Sequence, residues 1–362
     1  MPLPAEINDI RNKLRKAAID CSSRGIIYAS KWAAEMLDNL VKEDDIDGSN
    51  SSLFGPTNTF GQAKASSGAT IDDNNDSDDD DIQKRQDMLE EDKYLLAKAY
   101  FDSREYERAA KCIEKCTGPR AWFLRIYSQY LSGEKRMKEA LAEFKDNHER
   151  PNIVNDVLKD IMNELEQNKE HLDGFGLYLL GTIYAKQKSK KARDVLLESV
   201  QMYPHNWSAW LTLASCLDTR DLVENITPKL PQGIMRHFFL AHTTIETPPS
   251  NTPSTDLFSV HYNIVKQMFP KSPFVISMQA MRHYHCREFE EADSVFLELE
   301  EQDPYYIDHA DIHSNILYVM EDRPQLGALA HRCSSIDMFR PETCCVVGRY
   351  IINRALHHSI VN

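Results

Sequence analysis

The chain has 362 residues, with 42 Lys and Arg against 56 Asp and Glu, and its formal net charge is −14. This balance argues against a nucleic acid as partner, because binding to phosphates needs a basic surface. The longest strongly apolar stretch without a charge, residues 174–185, is shorter than the about 20 residues that cross a bilayer, so no membrane partner is expected either.

The N-terminal sequence and the cysteines indicate an intracellular protein. Charged helical sequence follows Met1 closely, without the apolar core of a secretory signal. The eight cysteines are scattered and include no Cys-x-x-Cys pair, which is typical of free thiols in a reducing compartment.

Residues 1–41 are predicted to form an N-terminal helical segment. Apolar residues recur at steps of three and four from Ile7 to Cys21 and again from Trp32 to Leu40, which is typical of two amphipathic helices. Ser30 is predicted to cap the second helix.

The next segment, residues 42–88, is predicted to be a disordered acidic linker. Residues 42–92 contain fifteen acidic and four basic side chains, so most of the net negative charge lies here. Such a composition buries too little apolar area to offset the entropy of ordering. The linker is interpreted as a solvated spacer; a regulated tail or a ligand for a basic surface is the alternative.

Residues 89–343 are predicted to form about seven tetratricopeptide repeats, which are helical hairpins of about 34 residues each. The fold class is therefore all-α, a right-handed superhelix of stacked hairpins. Small residues are expected where the two helices of a hairpin cross, and larger ones between hairpins. The clearest copy has the expected spacing throughout, at Ile276, Gln279, Ala280, His283, Ala292, Phe296, Leu299 and Pro304.

Several copies depart from this pattern. The second copy, with its second helix near Ala140, is predicted to precede an insertion that contains an amphipathic helix at residues 153–165. The fourth copy, which opens at Trp210, has a degenerate second helix. Residues 344–362 are predicted to be a truncated eighth repeat with only a first helix, as in a truncated product or isoform, and with Gly348 at the close-approach position. Its apolar face is expected to lack a surface of its own to pack on: Val346, Val347, Tyr350, Ile351 and Leu356.

The sequence predicts no enzyme. It contains no Walker phosphate loop, no Gly-x-Gly-x-x-Gly and no Gly-x-Ser-x-Gly. His283 and His285 project about 200° apart on one predicted helix, and Cys112 and Cys116 are interpreted as thiols of a repeat helix, so neither pair is predicted to bind a metal. No cofactor and no small-molecule substrate are expected.

The first helices of the repeats are predicted to line a partner-binding groove. This lining is aromatic and mixed rather than basic, which favours an apolar or helical partner over a peptide carboxylate. A stand-alone peptide-binding adaptor or co-chaperone is the alternative function, although it needs convergent Lys and Asn that the sequence lacks. The predicted groove residues are Tyr94, Lys98, Phe101, Phe175, Tyr178, Phe274, Met281, Tyr284, His313 and Leu317.

Two threonines are candidates for phosphorylation. Thr247 and Thr252 each precede a proline in an insertion that is predicted to be exposed. A phosphate there adds up to about two negative charges and favours pairing with arginine.

Five stretches of the chain carry a more specific resemblance than the repeat pattern. The stretches are 30–35 (SKWAAE), 95–101 (LLAKAYF), 130–135 (YLSGEK), 172–179 (LDGFGLYL) and 340–348 (RPETCCVVG). They resemble the N-terminal half of the anaphase-promoting complex (cyclosome) subunit 8 family, also called cell division cycle protein 23.

The resemblance implies a non-catalytic scaffold subunit of a multisubunit E3 ubiquitin ligase that controls mitotic progression. It further implies homodimers through the N-terminal repeats, contacts with the other repeat subunits, and a location in the nucleus and cytoplasm. In that family the groove for the coactivator lies in C-terminal repeats, which the resemblance does not cover. No coactivator-binding residue is therefore predicted here.

Overall fold

The computed structural model describes residues 4–40, 90–143, 154–246 and 257–361, with side-chain surroundings for those between residues 8 and 354. Within these ranges every regular element is helical, with seventeen α-helices and two short 3-10 helices. No helix in the described ranges combines the length and the apolar character that a membrane crossing requires. The predicted acidic linker lies outside the described residues, as do Thr247 and Thr252.

The chain forms two compact units, Met1–Ile183 and Tyr184–Asn362. The helices of the N-terminal unit are α1 (Pro4–Ser23), α2 (Ile27–Asp38), α3 (Glu91–Asp102), α4 (Tyr106–Cys112), α5 (Pro119–Ala142) and α6 (Leu158–Gln167), followed by a 3-10 turn at Lys169–His171 and by α7 (Gly174–Lys186), which contains the unit boundary.

The two predicted N-terminal helices are present and form a hairpin against the first repeat. Ala18 of α1 and Ala34 of α2 are buried in one core with Leu96 and Tyr100 of α3. The predicted Ser30 cap is wrong. The second helix begins four residues earlier than expected, at Ile27, and the Ser30 hydroxyl instead donates a hydrogen bond of 2.8 Å to the Ala18 carbonyl oxygen inside the hairpin.

The second predicted hairpin is also wrong, because α5 is a single helix of 24 residues. Residues 134–141 are mostly strong helix formers without a proline, so the helix continues through the expected turn. The partner of α5 is the insertion helix α6, which was predicted and which buries Leu158, Ile161 and Leu165. The two helices run antiparallel. Asn155, just before α6, contacts the Tyr130 carbonyl, whereas Glu164, late in α6, bonds to Trp122 near the start of α5.

The C-terminal unit continues the helical series. Its helices are α8 (Lys191–Met202), α9 (Trp207–Ala214), α10 (Arg220–Ile226), α11 (Ile234–Glu246), α12 (Leu257–Met268), α13 (Pro273–His285), α14 (Phe289–Gln302), α15 (Ala310–Val319), α16 (Arg323–Ile336) and α17 (Pro341–Val361), with a 3-10 turn at Thr227–Lys229. Helices α11 and α12, α13 and α14, and α15 and α16 pair as hairpins with apolar cores. The degenerate helix of the fourth repeat is the seven-residue α10.

The same turn closes four of the hairpins. In each, one residue has a left-handed φ of 54–62°, and the next amide donates to a carbonyl five residues back, which is the Schellman arrangement. Glycine is the usual residue at that position, yet the chain places other residues there. They are Arg104, Lys188, Arg287 and Glu321.

The eighth repeat forms one helix, α17, in the described residues, as predicted. Its apolar face is nevertheless covered, because Val346 is fully buried and Val347 and Tyr350 pack against the core of α15 and α16. Ile351 is 58% exposed. A Cβ at Gly348 would meet no atom within 4 Å, and within the described residues no second helix follows α17 to approach it.

Candidate interaction surfaces

Helix α2 is apolar on two opposite faces. Its inner face buries Ser30, Ala33, Ala34 and Leu37. Its outer face carries Tyr28, Trp32 and Met36, which are spaced four residues apart and are 82%, 55% and 39% exposed. Isolated apolar side chains are normal on a surface, but three large ones in a row on one helix indicate a contact site. We call Tyr28, Trp32 and Met36 the α2 outer stripe.

Ion pairs hold one flank of α2 on the first repeat. Arg108 of α4 contacts the Glu35 carboxylate at 2.9 Å and the Tyr100 hydroxyl at 2.8 Å, and its guanidinium carbon lies 4.0 Å from the centre of the Tyr100 ring. Burial and the hydrogen bond to Glu35 raise the pKa of Tyr100 to about 12, so the phenol remains a proton donor. Lys31 also pairs with Glu105. The outer stripe is therefore presented by a helix that is held against the first repeat along one flank.

A row of aromatic rings crosses the N-terminal unit from α3 to α7. The Phe101 ring lies 6.0 Å from Tyr127, which lies 5.5 Å from Phe123, which in turn lies 5.9 Å from Phe175, measured between ring centres. Phe175 is 37% exposed, whereas the other three rings are half-buried. The row combines packing with an exposed end, which suits an apolar partner.

Phe101 and Phe175 were predicted from the sequence, but Phe123 and Tyr127 were missed. In the second repeat, the positions that correspond to the groove residues of the first repeat are Trp122 and Arg125. Both side chains bond to Glu164 of α6, so α6 covers that face of the helix. The missed signal is the run of aromatic residues between 122 and 130.

The other predicted residues of this unit lie near the row. Tyr94 is half-buried with the Arg120 guanidinium 4.3 Å from its ring centre, and Tyr178 is half-buried on α7. Lys98 forms an ion pair with Asp102 and lies 5.8 Å from the Phe101 ring centre. The lysine therefore already has a carboxylate partner within its own helix.

In the C-terminal unit, Phe274 belongs to a second aromatic group. Its ring centre lies 5.8 Å from Trp207 and 6.1 Å from Phe238, and Phe238 in turn lies 5.7 Å from Phe269. Phe274 also lines an open cavity of about 440 Å³ with Tyr306, Asp308, His309, Asp311, Pro341, Glu342 and Cys345. Of the predicted groove residues, Phe274 is the one at the edge of this cavity.

Two other predicted residues of this unit are half-buried. Met281 packs against the core that α11, α12 and α13 share. The Tyr284 hydroxyl accepts a hydrogen bond of 2.9 Å from the Asn315 amide, and its ring lies 6.2 Å from Phe289. Each therefore presents only part of its surface to a partner.

His313 and Leu317 are core residues rather than groove residues. They are 4% and 1% exposed. The His313 Nε2 atom lies 2.8 Å from the Asp293 carboxylate, and its ring stacks on Phe296 at 4.8 Å. The reason is that α15 packs directly against α14, which turns these positions inward.

The sequence candidates for metal binding form other contacts. His283 bonds to the Glu288 carboxylate at 2.7 Å, and burial raises the pKa of Cys112 to about 11, which disfavours the thiolate that a metal needs. Within the described part of the chain, no group of three or more His, Cys, Asp or Glu side chains is arranged to bind a metal ion.

Comparisons of this sequence with known proteins indicate the family of the chain. The family model for anaphase-promoting complex subunit 8 / Cdc23 matches residues 9–280. Subunit 8 of this complex from Arabidopsis thaliana is 33% identical over 97% of this chain and 61% of its own length. The human cell division cycle protein 23 homolog is 33% identical over 92% of this chain and 50% of its own, and the Saccharomyces cerevisiae subunit CDC23 is 29% identical over 98% and 65%.

A solved structure is similar in fold. The crystal structure of the APC/C hetero-tetramer Cut9–Hcn1 contains a chain with a TM-score of 0.59 and 14% identity, which covers 95% of this chain and 57% of that one. This likeness supports the predicted all-α repeat fold. The chain spans about half to two-thirds of the length of the relatives above. On the match of the family model, the chain belongs to the anaphase-promoting complex subunit 8 / Cdc23 family.

Proposed function

We propose that this chain is a non-catalytic scaffold subunit of the anaphase-promoting complex, a multisubunit E3 ubiquitin ligase that controls mitotic progression. It homodimerises through its N-terminal unit, binds the other subunits through its repeats, and acts in the nucleus and cytoplasm. Membership of the subunit 8 family supports the assignment to the complex.

The proposed homodimer is supported mainly by the α2 outer stripe. Aromatic side chains that are rigid and exposed commonly dominate the affinity of an interface, and Tyr28 and Trp32 are 82% and 55% exposed. The buried face of α2 and the ion pairs along its flank fix the helix, so self-association does not have to order it.

The aromatic rows support protein partners rather than a substrate. The row from Phe101 to Phe175 and the group around Phe274 offer exposed ring surface for helices of neighbouring subunits. A stand-alone co-chaperone instead recognises a peptide carboxylate through lysines, and Lys98, the lysine of the predicted groove, is paired with Asp102. The scaffold function is therefore favoured over the adaptor.

The dimer is tested by light scattering and sedimentation equilibrium at micromolar concentration. Trp32→Glu places a charge in the stripe and should raise the dimer dissociation constant by about 30-fold or more, the usual effect of losing a central aromatic anchor. Tyr305→Glu is the matched control, because Tyr305 is 76% exposed in the C-terminal unit. A monomeric wild-type chain, or equal weakening by both variants, would contradict the proposed interface.

Membership of the complex needs a separate test. The tagged chain is expressed in dividing cells of its own source and purified under mild conditions. Cullin-type and RING-type subunits should co-purify with it, and they should do so less well for Trp32→Glu only if dimerisation is needed for assembly. Recovery of chaperones without ligase subunits would support the adaptor instead.

A further inference from the structure

The turn between α7 and α8 is strongly basic. Residues 186–193 (KQKSKKAR) contain five lysines and arginines and no acidic residue. The chain as a whole has a formal net charge of −14, so this turn is opposite in sign to the molecule that carries it. The turn lies in the C-terminal unit, and the surfaces proposed above for subunit contacts do not include it.

The fold leaves most of this charge without a partner. Elsewhere arginines pair between helices, as Arg125 does with Glu164 and Arg332 with Glu300. Within the described residues, four cations of the turn form no ion pair. They are Lys188, Lys190, Lys191 and Arg193, of which the lysines are exposed and the arginine is half-buried. We call these four residues the basic turn.

The backbone holds the basic turn in a defined conformation. The Ser189 amide donates to the Tyr184 carbonyl oxygen at 2.9 Å, which closes the turn. Lys190 and Lys191 follow at the start of α8, and Arg193 lies less than one helical turn further on. The Lys191 ammonium lies 5.7 Å from the centre of the Tyr184 ring. A partner therefore meets several cations at once and does not have to order this backbone.

The fold does not require this concentration of positive charge. Like charges that lie close together repel, and cations at the start of a helix oppose its dipole. The first turn of α8 contains one acidic residue, Asp194, and the helix has no side-chain cap. Asp218 lies near Arg193, since both contribute to the pKa of the Cys216 thiol, which burial raises. Neither aspartate forms an ion pair with the basic turn in the described residues, so an anionic partner explains the cluster better than the fold does.

The chemistry of the basic turn favours carboxylates. Its exposed cations are all lysines, whose compact ammonium groups suit separate carboxylates, whereas the planar fork of arginine suits a phosphate. A nucleic acid needs an extended basic surface, and the basic turn is confined to one short turn of an acidic molecule. We propose that the basic turn binds a short segment of a partner protein that is rich in Asp and Glu.

The site is tested by the fluorescence anisotropy of a labelled twelve-residue peptide with six glutamates, titrated with the full chain at about 50 mM salt. Lys190→Glu combined with Lys191→Glu should raise the dissociation constant about tenfold or more, because it removes two ion pairs and adds repulsion. Lys159→Glu combined with Lys271→Glu is the matched control. It makes the same change in net charge at two exposed lysines outside the turn, and its effect should stay below about twofold.

Further measurements identify what the basic turn binds. The same peptide with glutamine in place of glutamate should bind at least about tenfold more weakly, and about 0.5 M salt should release the acidic peptide. Thermal melting of each variant confirms that it is folded. Equal weakening by both double variants, or equal binding of the glutamine peptide, overturns the proposal.

Two anions of equal charge test the assignment to carboxylates. One is a peptide with three phosphoserines, and the other is a seven-nucleotide single strand with six phosphates. Both should bind more weakly than the glutamate peptide. Tighter binding of either, lost in the variant of Lys190 and Lys191, overturns the assignment to an Asp- and Glu-rich segment.

Discussion

Gly133→Ala is the substitution with the most sharply defined cost in the N-terminal unit. A Cβ at this position would lie 2.0 Å from the Asn155 side-chain oxygen and 2.6 Å from a methyl group of Val157. Asn155 is only 3% exposed and donates to the Tyr130 carbonyl at 3.3 Å and to Glu134 at 3.0 Å. It must retreat by about 1 Å to reach the closest separation that Cβ atoms show, so both hydrogen bonds are disturbed.

The energies of this change have opposite signs. Alanine gains about 1 kcal/mol of helix propensity over glycine. Overpacking costs about 1–3 kcal/mol, and each disturbed buried hydrogen bond costs about 1 kcal/mol more. The net expectation is a loss of about 2–4 kcal/mol in the free energy of unfolding of the N-terminal unit.

Urea denaturation followed by circular dichroism measures this loss, and Gly348→Ala is its matched control. Gly348 is also helical, but a Cβ there meets nothing within 4 Å. Its alanine variant should therefore show only the propensity gain, up to about 1 kcal/mol. If Gly133→Ala were as stable as the wild type, the contact between α5 and the residues before α6 would not exist in solution.

Two further changes test the core of the C-terminal unit. His313→Ala should lower the free energy of unfolding of this unit by about 3–4 kcal/mol, because it leaves the buried Asp293 carboxylate without its histidine partner and removes the ring stacked on Phe296. A change below about 0.5 kcal/mol in urea denaturation would show that His313 is not a core residue and would support its predicted place in the groove. Burial lowers the pKa of His242 and His261, so the unfolded chain binds more protons. The urea midpoint should therefore fall as the pH drops below about 6.5, the unfolded value, and a midpoint that rises on acidification would contradict this.

The repeat pattern predicts hairpins well where both helices carry it. The copy built on Ala280, Ala292 and Phe296 forms α13 and α14, with these residues in one core. The second copy failed because its pattern rests on single residues near Ala140, whereas local helix propensity favours continuation. An insertion helix can take the place of the second helix of a hairpin, as α6 does here. The residue spacing within one repeat does not show whether this happens.

The groove was harder to predict than the fold. Position within a repeat selects a helix face, but which face stays open depends on the neighbouring helix. Phe101 and Phe175 lie in the aromatic row, whereas His313 is covered by α14. Burial of this kind depends on contacts between helices distant in sequence, which one-helix periodicity does not contain.

The four repeated turns could not be predicted from local sequence. A glycine after a helix is a strong stop signal, but the four Schellman turns use residues such as Arg104 and Glu321, so the sequence gives no local mark of them. A left-handed φ costs about 1–2 kcal/mol outside glycine. The packing of the two helices must supply this energy, which means that the hairpin determines its turn rather than the reverse.

Periodicity also does not predict that α2 has two apolar faces. The steps of three and four from Trp32 to Leu40 predict a single apolar face, but Ala33 and Leu37 are buried while Trp32 and Met36 are exposed. A helix with a single buried face needs no such second row. Because the buried face of α2 and the ion pairs of Glu35 and Lys31 along its flank fix the helix, the apolar residues that remain outside are not required by the fold of this unit. Their presence is better explained by a partner that covers them.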